Sequence, residues 1–353
     1  MKMIVRRTVL AVCILVLALI LPAAASAACT GFDDVPETAD CYESVMYLAE
    51  HEITQGTGNG YFSPDAPVTV RQWAMMLCRA YDVKVEGNSW SDLSQSAVEQ
   101  SYRQGWLNET ALSAPRSPMC RSVLVESAFA AADVPVYDST LYEGGTSLST
   151  ADNILRVERE LGLCSDDADT NALVTRGDAA IILHVVLTQS FRIEEPPVPV
   201  SLVNAAGVNV NDFLLELRKL PEQVLDAFNA AGWTYCIDFD YMGGLSKKLN
   251  MSCIGATNYS RKTIYLSEAS ATLHEFGHFL DWMLGFPAEH EQLFRAEAAA
   301  APLRDYAKTN AREYFADCFS YCIIHGNDSE MMKHLRKNAP QTCTYFEELS
   351  PFL

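Results

Sequence analysis

From Gly31 to Gln189 the chain repeats one pattern three times, and this restricts what that half can fold into. The first copy opens Phe32-Asp33-Asp34-Val35 and enters a helical stretch from Tyr42 to Glu52. A loop, Gly56-Thr57-Gly58-Asn59-Gly60-Tyr61-Phe62-Ser63-Pro64-Asp65, leads to a second helix at Thr69-Val70-Arg71-Gln72-Trp73. The second copy opens Trp90-Ser91-Asp92-Leu93, carries Tyr102 to Leu107 and restarts at Pro118-Met119-Cys120-Arg121. The third has Ala151 to Leu163 as its first helix and Thr175-Arg176-Gly177-Asp178 at the start of its second. Helix, Gly/Pro/Asp-rich loop, helix, at a period of about fifty residues, is a repeat architecture. Units this small cannot bury their own apolar faces, so the three are expected to share one core.

This half resembles the S-layer homology domain, a module usually found in triplicate on exported proteins of Gram-positive-type envelopes. The resemblance rests on the Phe-x-Asp-Val opening, the Gly-rich loop ending Phe-x-Pro-Asp, and the Thr-Arg-x-acid segment. It implies binding of anionic secondary cell-wall polysaccharide through Thr175, Arg176 and Asp178, the arginine pairing with an anionic sugar substituent and the acid orienting it. Copies one and two depart from that segment, with Thr69-Val70-Arg71-Gln72 and Cys120-Arg121-Ser122-Val123. The alternative is a spacer or partner-docking unit.

Compartment follows from the first residues. Lys2, Arg6 and Arg7 precede an apolar run from Thr8 to Leu21 that is short for a bilayer span, and Ala25-Ser26-Ala27 offers small residues for cleavage after Ala27. Ser26 speaks against a lipid anchor at Cys29. Formal net charge is −19, and loss of the three cations of the leader makes it −22. That excludes a basic nucleic-acid-binding surface and disfavours adhesion to anionic membranes, so neither is expected as a partner. Of eleven cysteines, Cys13 leaves with the leader, and the even remainder in an exported chain is compatible with disulfides. Cys318 and Cys322 share a helix face one turn apart, either as a disulfide or as small buried hydrophobes.

Ile193-Glu194-Glu195-Pro196-Pro197-Val198-Pro199-Val200 divides the halves, its prolines favouring an extended, semi-rigid conformation. Beyond it, residues 209–231 read as helices ended by Gly232, and Trp233 to Phe239 and Lys262 to Leu266 as strands. Ser267 or Ser270 is expected to cap the next helix, and Gly285 and Pro287 to end it.

That helix carries His274-Glu275-Phe276-Gly277-His278. Four residues apart, the two imidazoles lie on one face and can grip one zinc ion, with Glu275 able to reach water on its open position. An edge strand beside such a site can pair with an extended peptide. The metzincin extension would need Gly at 281 and His at 284; Asp281 and Leu284 stand there and exclude it. A later helix offers Glu313 as third ligand, with Asp317 one turn on. Asp317 or Asp281 would take a second imidazole N–H. Against this, Asn310…Glu313 also fits a helix cap with an acid at its third position, and Tyr306 read alone is ordinary core.

His274 to His278 with Asp281, and Tyr306 seven residues before Glu313-Tyr314-Phe315-Ala316, resemble the catalytic domain of the anthrax lethal factor family, which includes secreted Pro-Pro endopeptidases. The resemblance covers roughly residues 200–345. It implies a compact, mostly helical zincin domain of gluzincin type holding one zinc ion per chain. His274, His278 and Glu313 would be ligands, Glu275 the general base and Tyr306 the oxyanion donor. The expected fold class is mainly α with a small β component (α+β). The expected division is a leader at 1–27, repeats at 30–85, 88–138 and 143–190, a linker at 191–201 and a peptidase domain at 202–353. The expected function is a wall-attached zinc endopeptidase acting on surface or extracellular proteins, with Pro-rich sequences such as its own Pro196-Pro197 as expected sites. A wall-binding protein with an inactive zincin domain, and a peptidase for peptidoglycan stem peptides, are the alternatives.

Overall fold

The computed structural model describes residues 31–349. The leader, Cys13 and Cys29 lie outside the described residues. The fold is mainly α with one small sheet, the α+β class.

The repeat half contains α1 (Tyr42–Glu50), α2 (Val70–Ala80), α3 (Trp90–Arg103), α4 (Glu109–Ser113), α5 (Arg121–Ala131), α6 (Thr150–Glu160) and α7 (Arg176–Thr188). The helices pack in a cycle: α2 on α3, α5 on α6, and α7 back on α1. The backbone closes the same cycle. Val68 N donates to the Val174 carbonyl, Val174 N to Met119, and Met119 N to Val68. Trp73, Leu77, Leu124, Phe129, Val157 and Leu183 belong to the single core this encloses, as expected of units that cannot fold alone. Asp34 of the Phe-x-Asp-Val opening accepts from Phe62 N at 2.8 Å and Ser63 N at 2.7 Å, tying down the Gly-rich loop.

The Thr-Arg-x-acid segment is built differently from the expectation. Arg176 is only 4% exposed. Its Nε donates to the Phe62 carbonyl at 2.8 Å and its guanidinium lies over the Phe62 ring. Thr175 and Asp178 form a capping box at the start of α7. The arginine therefore fastens the start of α7 to the loop after α1, while Thr175 is half-buried and Asp178 exposed beside it. The Arg176 guanidinium is committed to Phe62 and is not offered to an anionic polymer.

The two halves touch at a short loop after α5. Tyr137 and Leu141 join the core of the second half, and Asp138 N donates to Asn211 Oδ1 at 2.7 Å. The Pro-rich segment has no regular structure, yet it is pinned at both ends, by Tyr142 Oη to the Glu194 carbonyl and Asn229 Nδ2 to the Pro199 carbonyl.

The second half runs β1 (Leu202–Asn204), α8 (Asn211–Leu217), α9 (Glu222–Ala230), β2 (Thr234–Ile237), α10 (Phe239–Leu249), β3 (Gly255–Asn258), β4 (Thr263–Leu266), α11 (Thr272–Met283), α12 (Ala288–Glu297), α13 (Ala311–His325), α14 (Ser329–Asn338) and α15 (Pro340–Leu349). Strand order is β1-β2-β4-β3, with β3 antiparallel at one edge. β2 stops at Ile237, two residues short of the expected Phe239, because Asp238 caps α10 through Tyr241 N. Neither Ser267 nor Ser270 caps α11; a 3₁₀ turn, Ala269–Ala271, leads directly into it.

Leu273, Phe276, Phe279 and Leu280 fill the core from α11. Phe276 contacts Phe228 and Tyr235, and its truncation to Ala would cost about 3–5 kcal/mol. A Cβ at Gly277 would lie 2.6 Å from Ala316 Cα, so only glycine lets α11 and α13 approach this closely. All nine cysteines among the described residues are free thiols, Cys318 and Cys322 included. The disulfide expectation is not met there. No helix among the described residues is long and apolar enough to cross a membrane.

Candidate metal centre

Three elements converge on one cleft of about 1050 Å³. α11 supplies His274, Glu275 and His278, α13 supplies Glu313 and Asp317, and β3 forms a wall. Glu313 Oε2 lies 3.0 Å from His274 Nε2 and 3.3 Å from His278 Nε2. Asn310 caps α13 by accepting from Arg312 N and Glu313 N, and the Glu313 side chain is free to turn toward the imidazoles.

His274 Nδ1 donates to Asp317 Oδ1 at 2.6 Å. Asp317 in turn accepts two hydrogen bonds from Arg304, at 2.6 and 2.7 Å. Arg304 was not singled out by sequence reading; nothing in its surroundings in the chain marks it, and only the approach of its loop to α13 does. Asp281 is placed elsewhere. Its Oδ1 accepts from His290 Nδ1 at 2.7 Å, away from both cleft histidines, because α12 folds back to bring His290 over α11. His278 Nδ1 is buried with no partner among the described residues.

Glu275 is buried, and Thr257 Oγ1 of β3 donates to its Oε2 at 2.7 Å. A Cβ on Gly255 would lie 2.6 Å from Glu275 Oε1, so the strand approaches this closely only through glycine. Burial raises the Glu275 pKa. For His274, burial alone would lower the pKa, but the bonds to Asp317 and Glu313 prevail and raise it to about 9. Burial would raise Glu313 and Asp317. The imidazoles instead hold Glu313 well below the usual carboxylate range, and His274 and Arg304 lower Asp317. Tyr306 is 43% exposed at the rim, 6.3 Å from the His274 ring between centroids. Partial burial and the nearby Glu313 and Glu275 charges push its hydroxyl up to about 12, so it stays a donor at neutral pH.

The donor set fits a zinc ion. Two imidazole nitrogens and one carboxylate oxygen lie within 4.8 Å of one another, and zinc takes that combination with an open position. Without a cation, only a proton on Nε2 reconciles His274 with Glu313 at 3.0 Å.

Residues 31–69 match the S-layer homology domain, a cell-surface module. Residues 218–349 match the model described as anthrax toxin lethal factor, N- and C-terminal domain, a zinc metallopeptidase family. A comparison with curated proteins gives no match. The chain thus joins an S-layer homology domain to an anthrax lethal factor-like domain.

Proposed function

We propose that this protein is an exported zinc endopeptidase of gluzincin type, held at the cell wall by its three repeats and cutting surface or extracellular proteins. The observation that carries the reading is the convergence of His274, His278 and Glu313 beside buried Glu275, in a cleft walled by an open strand edge.

His274, His278 and Glu313 would hold the ion, which when bound supplies a Lewis acid and lowers the pKa of water. Among the described residues β3 pairs with β4 alone, so its other edge has backbone groups available to an extended peptide. Glu275 takes the proton of the attacking water and passes it to the departing amide nitrogen; Thr257 fixes the carboxylate for both transfers. The Tyr306 hydroxyl donates to the carbonyl oxygen as negative charge grows there, an effect worth about 3–4 kcal/mol in comparable sites. Asp317, clamped by Arg304, keeps His274 in the tautomer whose Nε2 faces the cluster.

Wall attachment rests on the repeat unit as a whole, since Arg176 is buried. Pro-rich sequences are the proposed substrates, with Pro196-Pro197 of the chain as a self-processing site; Pro197 is exposed but Pro196 is buried, so cutting there requires this segment to leave its place.

The test is metal analysis and cleavage of a peptide library with and without chelator, for wild type and Glu275→Ala. We expect about one zinc per chain in both, and a fall in hydrolysis of roughly 10²–10⁴-fold in the variant. Chelator-resistant cleavage, or an equal rate in the variant, would overturn the reading. Equal cutting at Pro196-Pro197 by both proteins would remove self-processing.

A further inference from the structure

Arg312 stands in the cleft immediately before Glu313, is exposed, and has no carboxylate within ion-pair distance among the described residues. The other arginine of the cleft, Arg304, is occupied by Asp317. Arg312 is nevertheless held in position. Its guanidinium lies 4.3 Å from the centre of the Phe286 ring and 5.6 Å from that of Tyr259. Tyr259 packs in turn on Trp233 and Phe286.

Phe286 is unusual in two respects. It exposes 36% of a large aromatic side chain, and its φ is 53° immediately before Pro287. A bulky residue in the left-handed region costs on the order of 1–3 kcal/mol, and such strain gathers at binding sites. Here it sets a ring under a guanidinium. A stacked, pre-positioned arginine loses less freedom when it binds, and its planar fork suits a carboxylate.

Resting on the endopeptidase reading above, we infer that Arg312 is a specificity residue that selects substrates carrying an acidic side chain close to the cleaved bond. The molecule's charge of −19 does not oppose this. Exposed charges beyond about 8–10 Å are screened at physiological salt, so the local guanidinium decides. Arg312 lines the same cleft as His274, His278 and Glu313, and an extended peptide advances about 3.3 Å per residue. The recognised carboxylate therefore belongs to one of the nearest few residues.

The experiment uses the full chain and a peptide pool of random sequence. Cuts made by wild type and absent with Glu275→Ala are aligned. We expect Asp and Glu to be enriched at one position near the cut. In the best such peptide, Glu→Gln is expected to lower kcat/KM by roughly 10–100-fold, the size of a charge-assisted hydrogen bond. Arg312→Glu is expected to invert the ratio in favour of a Lys peptide, and Arg312→Lys to keep the acidic preference in weaker form. Glu275-dependent cuts without acidic enrichment, or a Glu/Gln ratio identical in wild type and Arg312→Glu, would overturn this inference and leave the peptidase reading intact. Complete absence of Glu275-dependent cuts would overturn both. Using a ratio within each variant keeps the result readable if Arg312→Glu also lowers total activity.

Discussion

The helices beginning at Arg176 and at Ala311 open with the same grammar, a capping residue followed three positions later by an acid. Thr175 accepts from Asp178 N, and Asn310 accepts from Glu313 N, each at 3.1 Å. From there the acids part. Asp178 turns back, and its Oδ2 accepts from Thr175 Oγ1 at 2.7 Å. Glu313 turns away, to two imidazoles. An acid at this position completes the cap when nothing better is near, whereas buried histidines offer charge-assisted bonds roughly twice as strong. The arginines differ in the same way. Arg176 is enclosed by the repeat cycle and serves packing, while Arg312 stands free in a cleft. Local pattern starts both helices; the neighbours brought by the fold decide which acid meets the cleft histidines.

The largest expected effect comes from exchanging the acids' roles. Glu313→Gln keeps the Asn310 cap but removes the anionic donor. Zinc retained after dialysis should fall to near zero, and hydrolysis should fall with it. Asp178→Asn should leave both unchanged and touch only the stability of the repeat half. Metal content and peptide turnover measured on the pair decide this. Wild-type zinc and rate in Glu313→Gln would reduce Glu313 to a helix residue like Asp178.

This contrast marks what sequence could convey. Helical periodicity sets the His274–His278 spacing within α11 and places Asp317 one turn after Glu313 within α13, but α12 lies between the two helices and their meeting is tertiary. Self-similarity suggested repetition in the first half, of which residues 31–69 match the S-layer homology model. β3 was not read, since Gly255-Ala256-Thr257-Asn258 has neither alternation nor β-branched enrichment; its strand character comes from pairing with β4. Of the two acids that could accept from a cleft histidine, Asp317 does so, while Asp281 is taken by His290 from another helix. Arg304 reaches Asp317 across a loop, and Arg176 is buried by residues more than a hundred positions away in the chain. Such partners depend on tertiary closure and leave no local trace.

A smaller effect separates the halves by pH. In zinc-free protein the His274 pKa is about 9, against an ordinary 6.5. A raised pKa contributes stability that is fully present below about 6.5 and is lost as pH rises through about 9. The lowered Glu313 and Asp317 contribute stability that is present above the ordinary carboxylate range and lost as pH falls below it. In chelator, the second half should therefore melt at lower temperature at pH 9 than at pH 6.5, and Asp317→Asn should flatten that slope. In the repeat half the shift at His184 has the opposite sign, burial lowering its pKa. A flat melting profile for the second half between those pH values would mean that the His274 bonds do not persist without metal.

The smallest effect tests the shared grammar directly. Loss of a helix cap costs about 1 kcal/mol whatever the helix later does, so Thr175→Ala and Asn310→Ala should lower stability by similar amounts. Their consequences for hydrolysis should differ. Asn310 holds Glu313 N and so sets where the Glu313 carboxylate begins, whereas Thr175 holds Asp178, which touches neither the cleft nor a metal donor. Thermal unfolding followed with a peptide assay should show two comparable losses of stability and one loss of turnover, confined to Asn310→Ala. A matching loss of turnover in Thr175→Ala would mean that the repeat half, through the Asp138–Asn211 contact, holds the peptidase half in shape, and that the two helix starts are less separate than their chemistry implies.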